Sequence, residues 1–135
     1  MTPETLPWRG IHHIALTTSD LESTLRFYGD ILGMSVSEIY PSREGRGRHS
    51  LVFAKLNDPE TWGLHFFERS GSEAGSTPLL HIAFRLADAS AADNLRARLQ
   101  HNQIAITEIP ELGSFLFSDN NGLLLEVTYP QAASS

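Results

Sequence analysis

The spacing of apolar positions changes period along the chain, and the changes mark its elements. Over residues 11–17 the side chains alternate, with His13, Ala15 and Thr17 on one side and Ile14 and Leu16 on the other. That is the two-residue period of a strand. The period then lengthens: Leu21, Leu25, Tyr28 and Leu32 recur at steps of three or four. This stripe predicts an amphipathic helix over about residues 20–32, capped by Ser19 or Asp20 and closed by Gly33. Strands are expected at 34–40, 49–55 and 63–68, separated by the polar, glycine-rich stretch 41–47 and a turn at Asn57-Asp58-Pro59. Ser70 to Pro78 contains no large apolar residue and reads as a linker. The pattern then restarts with a strand at 79–86 and a helix near 90–101. That helix is capped by Asp88 or Ser90 and carries Ala92, Leu95 and Leu99 on its apolar face. Strands at 104–109, 113–117 and 123–128 complete it, the last two joined by a tight turn at Asp119-Asn120-Asn121-Gly122. Residues 1–9 read as an arm with Trp8 packing at a surface, and the tail from Pro130 reads as frayed.

The order β-α-β-β-β thus occurs twice, and one stretch labels the copies. Gly10-Ile11-His12-His13-Ile14-Ala15-Leu16 returns as Leu79-Leu80-His81-Ile82-Ala83-Phe84, so His13 and His81 head the same His-Ile-Ala core. Self-similarity on this scale in a short chain indicates two copies of one supersecondary unit. The expected fold class is α+β, with one domain over residues 1–135. Its first βαβββ module spans about 10–69, the linker 70–78 and the second module about 79–129. Each helix covers one face of its sheet, which leaves the other face for a cleft or for the opposite copy.

Composition removes whole classes of function. At 135 residues and 41% hydrophobic content the chain suits one ordinary globular domain. Its apolar runs fall well short of the roughly 18 residues that a membrane-spanning helix needs. Met1–Glu4 shows neither the basic nor the apolar part of a secretion signal. There is no cysteine, which excludes disulfides, thiolate ligands and a thiol nucleophile. A cytoplasmic location fits both facts. A net charge of −6 argues against nucleic acid or an anionic membrane as partner, since each needs a basic face. The one basic cluster, Arg43, Arg46 and Arg48, is too small to reverse that.

Candidate chemistry comes from polar residues set in apolar strands. Glu126 lies within Leu123-Leu124-Leu125-Glu126-Val127, where an unpaired carboxylate is costly unless a cation offsets it. His65 holds the matching place in Gly63-Leu64-His65-Phe66-Phe67. The first and last strands of the halves therefore offer His13 and His65, then His81 and Glu126. A single histidine on a strand is usually a satisfied core or edge residue. Four such groups at equivalent places are the donor set of a metal site, and three imidazoles with one carboxylate suit one divalent ion: Zn, Ni, Co, Mn or ferrous Fe. Two histidines and one carboxylate among them match the facial arrangement of non-haem iron. The repeat aligns His12 with the apolar Leu80, so His12 is expected on the helix side. His49 opens its strand and is a candidate to line the cleft, and His101 ends the second helix, where a cation is favourable.

These residues resemble the vicinal oxygen chelate superfamily, which includes glyoxalase I, methylmalonyl-CoA epimerase, extradiol dioxygenases, bleomycin resistance proteins and fosfomycin-resistance transferases. The resemblance rests on His12-His13-Ile14-Ala15-Leu16 with Asp20-Leu21 and on Phe27-Tyr28-Gly29-Asp30-Ile31-Leu32-Gly33-Met34. It rests further on Leu80-His81-Ile82-Ala83-Phe84 and Asp119-Asn120-Asn121-Gly122-Leu123-Leu124-Leu125-Glu126, and so covers about residues 10–128. It implies paired βαβββ modules whose curved mixed sheets form an open barrel around a metal cleft. It implies His13, His81 and Glu126 as ligands, with His65 at the fourth-ligand position. The glyoxalase and epimerase branches usually carry Glu or Gln there, and in lactoylglutathione lyases glutamates at the metal also act as bases. His65 departs from that pattern and is either a ligand or a general base; Glu126 is the other candidate proton acceptor. The implied function is a metal-dependent glyoxalase-like lyase or isomerase acting on a small substrate chelated through adjacent oxygens. The alternatives are a ferrous extradiol dioxygenase-like enzyme and a drug-binding resistance protein without catalysis. The same resemblance implies a homodimer.

Overall fold

A computed structural model of the chain describes residues 11–42, 45, 47–55, 58, 61–69 and 79–130. The arm with Trp8, the linker 70–78, Arg43, Arg46 and the tail from 131 lie outside the described residues. The first half contains strand β1 (His13–Thr18), helix α1 (Leu21–Arg26), β2 (Ser35–Val36), β3 (His49–Phe53) and β4 (Gly63–Glu68). The second contains β5 (His81–Arg85), α2 (Ala89–His101), β6 (Thr107–Ile109), β7 (Ser114–Ser118) and β8 (Leu124–Thr128). They form two four-stranded mixed sheets, ordered β1-β4-β3-β2 and β5-β8-β7-β6. In each, the first and last strands of the half run parallel and the other neighbours run antiparallel. The repeat in sequence is thus a repeat in topology, and neither sheet closes into a barrel by itself. Among the described residues no helix is long and apolar enough to cross a membrane.

Local chemistry explains the boundaries. Asp20 accepts the Ser23 amide at 3.0 Å and Asp88 accepts the Ala91 amide at 2.8 Å, so an aspartate starts each helix. The first helix does not stay α-helical to residue 32. Phe27–Ile31 widen into a π turn, with the Leu32 amide donating to the Phe27 carbonyl at 3.0 Å. The widened turn buries two consecutive aromatics, Phe27 and Tyr28, where a regular stripe accounts for Tyr28 alone. Gly33 then turns the chain at φ 73°, a left-handed conformation that suits glycine. The strand expected at 34–40 shrinks to two residues plus an isolated bridge from Tyr40 to His49. The cause is Ser37: its hydroxyl, in place of a backbone carbonyl, accepts the Leu51 amide at 2.9 Å, which interrupts the ladder.

The core forms between the sheets and helices. Tyr28, Leu21, Leu64 and Phe66 of the first half and Leu99, Phe115, Leu125 and Val127 of the second are buried in one cluster. Each such side chain contributes about 1.5–3 kcal/mol by leaving water. Side chains also join the halves. The Tyr28 hydroxyl donates to Asp119 Oδ2 at 2.8 Å, and the side-chain amides of Asn120 and Asn121 donate to Thr24 Oγ1 at 3.0 and 3.1 Å. Trp62 stacks on Phe84 at 5.0 Å between ring centroids. One face of each sheet stays outside this core: His13, Ala15 and Thr17 of β1 and His81, Ala83 and Arg85 of β5 are all exposed.

Candidate metal centre

Strand register decides which polar groups meet. β1 pairs with β4 so that His13 lies opposite Gly63 and Ala15 opposite His65. β5 pairs with β8 so that His81 lies opposite Leu124 and Ala83 opposite Glu126. His13 and His65 are therefore diagonal neighbours on one face, and His81 and Glu126 are the same diagonal in the other half. The first pair of rings is 6.1 Å apart between centroids. In the second pair His81 Nε2 lies 3.4 Å from Glu126 Oε1. Two ligands, each about 2.1 Å from a tetrahedral ion, are themselves about 3.4 Å apart, so this donor pair fits a shared divalent cation. The glutamate is also the more sheltered partner, with its side chain 17% exposed against 43% for His81.

The surroundings of His65 favour its neutral form. Burial, then the neighbouring His49 and His13, keep its pKa below the ordinary imidazole value. A neutral imidazole is the form that can bind a metal or accept a proton. His49 Nδ1 lies 2.9 Å from His65 Nε2. His49 has no counterpart in the second half, so the repeat gave no reason to single it out. Strand alternation puts His49 on one face with Leu51 and Phe53, but it is the register of β3 on β4, with Leu51 opposite His65 and His49 opposite Phe67, that brings it to His65. His12 is a correction. It does not face the helix side; it is exposed, and its Nδ1 lies 3.0 Å from Nδ1 of His13. β1 begins only at His13, so the alternation does not reach back to His12. Its counterpart Leu80 likewise precedes β5 and is 82% exposed.

Within one chain no three of the four candidates bring ligand atoms within 4.8 Å of one another. Among the described residues, the one set of three acidic or imidazole groups within 4.8 Å of one another is Asp20, Glu22 and Glu68. That set already has its partners. Arg48 bridges Glu22 and Glu68 at 2.9 Å each, Glu68 accepts the Leu21 amide at 2.9 Å, and Asp20 caps α1. Its carboxylates serve the start of the helix.

A family model described as the Glyoxalase/Bleomycin resistance protein/Dioxygenase superfamily matches residues 10–127. A search of the curated proteins returns no match. Among solved structures the chain is similar to TnmS3, an antibiotic binding protein from Streptomyces sp. CB03234. The TM-score is 0.71 at 21% identity, covering 94% of this chain and 100% of that one. It is similar to a glyoxalase/dioxygenase from Nostoc punctiforme, with a TM-score of 0.70 at 22% identity over 98% and 99% of the two chains. It is also similar to the fosfomycin resistance protein FosX from Listeria monocytogenes, with a TM-score of 0.67 at 18% identity over 90% and 93%. At these identities the likeness is one of fold.

Proposed function

The chain belongs to the Glyoxalase/Bleomycin resistance protein/Dioxygenase superfamily, and from that premise we propose a metal-dependent enzyme, a lyase or isomerase acting on a small molecule held through adjacent oxygens. The observation that carries this reading is the His81–Glu126 pair at 3.4 Å, with His13 and His65 on the equivalent diagonal. His13, His81 and Glu126 are the residues that would hold one divalent ion, whether iron, nickel, zinc, cobalt or manganese. His65 would stand as fourth ligand or as a base beside it. When bound, the ion supplies Lewis-acid stabilisation of charge on a substrate oxygen. Glu126 and neutral His65 are the groups suited to take a proton next to a carbonyl. The two modules act as one cytoplasmic domain. Because no three of the four donors come within 4.8 Å of one another in one chain, we take the site to be completed between two copies, and the working unit to be a homodimer. Exposed Leu80, Ile11 and Leu124, at the ends of the strands that carry the pairs, supply apolar surface for that contact.

One observation favours a second reading. Tyr40, His49, His65 and Phe67 make a row of rings beside His13, at centroid distances of 4.2–5.4 Å. Such a surface suits a flat aromatic ligand, and the similar protein TnmS3 is an antibiotic binding protein. The deciding experiment is metal analysis of the purified chain, followed by a screen of 2-oxo-aldehydes and other oxygen chelates with each metal. The enzyme reading expects about one ion per chain and a turnover that chelation abolishes and the ion restores. Tight binding of an aromatic ligand to a chain that takes up no metal would replace it with the second.

A further inference from the structure

We propose that His49 is a positioning residue that fixes the tautomer of His65, so that His65 presents the lone pair of Nδ1. The proposal deepens the reading above by naming the nitrogen through which His65 works. His49 and His65 are diagonal neighbours on antiparallel strands, with His49 Nδ1 at 2.9 Å from His65 Nε2. The His49 ring has little freedom to leave that contact. It lies against Phe67 at 5.3 Å and 22° between planes, and against Tyr40 at 5.4 Å and 33°. Its backbone is tied to Tyr40 by hydrogen bonds of 2.8 and 3.1 Å, one in each direction.

A hydrogen bond between two neutral imidazoles needs one N–H and one lone pair. In one arrangement His65 Nε2–H donates into His49 Nδ1, and both rings carry their proton on Nε2, the commoner position for neutral histidine. In the reverse arrangement both rings must carry it on Nδ1. The first is therefore favoured, and it leaves Nδ1 of His65 unprotonated. That nitrogen can then bind a cation or accept a proton, which a protonated Nδ1 cannot. Histidines at metals commonly donate their second N–H to a carboxylate or carbonyl; here the acceptor is another imidazole.

The test uses the metal-free chain first. Nitrogen-15 NMR at neutral pH reports which ring nitrogen of His65 carries the proton. The proposal expects Nε2 in the wild type and a mixture of tautomers in His49→Phe, which keeps a ring against Tyr40 and Phe67 but removes Nδ1. His49→Asn, whose carbonyl oxygen can accept in place of Nδ1, should restore the wild-type state. A wild-type His65 protonated on Nδ1, or one that His49→Phe leaves unchanged, overturns the proposal. Zinc competition titrations provide the second readout. His49→Phe should weaken binding about 10- to 100-fold, the usual effect of losing such a supporting partner, and should add nothing in a His65→Ala background. An additive loss in that background would make His49 a ligand itself and overturn the proposal. A wild type that binds no zinc but shows the expected tautomers would count against the metal reading and leave the positioning role supported.

Discussion

A carboxylate in an apolar strand needs a compensating charge, and at Glu126 the near neighbour is His81. Glu126→Ala should therefore lose bound metal outright, while His12→Ala should retain most of it. Elemental analysis of the two variants side by side, with the fold checked by circular dichroism, decides the matter; the opposite result would move the site by one residue. Arg85 ends the exposed row of β5 that His81 opens. The offset that carries His13 onto His81 carries Thr17 onto Arg85, so the two rows differ in charge at this place. Arg85 has no hydrogen-bonding or ionic partner among the described residues. Arg85→Ala should weaken anionic ligands found in the screen by about tenfold, the worth of one charge-assisted hydrogen bond. Neutral ligands should bind as before, and calorimetry distinguishes the two.

At the scale of elements, helix α1 is held from both ends. Tyr28 reaches from the π turn to Asp119, and its own ionisation is pushed far up, by burial first and then by that carboxylate. Tyr28→Phe should cost about 2 kcal/mol in urea denaturation, the scale of a hydrogen bond to a charged group. At the other end Arg48, and after it the Leu21 amide, hold Glu68 below its ordinary pKa of 4.5. The folded chain thus keeps this carboxylate charged to lower pH than the unfolded chain does. Its stabilisation is complete above pH 4.5 and is lost as the pH falls through the folded value. Glu68→Gln should flatten that part of a pH–stability profile. These joints explain what was legible beforehand. Strand β4 and the helix starts at Asp20 and Asp88 follow from alternation and capping, which are local. The π turn depends on burying Phe27 beside Tyr28, and the break in β2 depends on Ser37 meeting Leu51 from another strand. Those causes lie between elements, beyond the reach of periodicity. The same holds for the candidate site: the repeat pointed to His13, His81, His65 and Glu126, whereas the contact between His49 and His65 needed the register of β3 on β4.

For the whole molecule, the lack of a three-donor cluster among these four residues in one chain makes a prediction about assembly. The chain should sediment as a dimer at tens of micromolar (roughly the ceiling for a functional dimer, by affinity arithmetic). If each site takes His13 and His65 from one copy and His81 and Glu126 from the other, two defective variants should complement each other. Mixing His13→Ala with Glu126→Ala and allowing exchange creates mixed dimers with one intact site, so about a quarter of all sites should regain metal. No recovery would place all four groups in a single chain. The joint between the halves bears on how far they can stand in for each other. It runs from α1 to the turn between β7 and β8, side chain to side chain, and no backbone pair crosses it among the described residues. The offset of the repeat carries Tyr28 onto Arg96, which pairs instead with Asp93 and Glu108 of its own half. The position that matches the buried phenol thus holds a cation paired within its own half. The halves are not interchangeable, and a gene carrying the second half twice would set Arg96 where the buried phenol now stands.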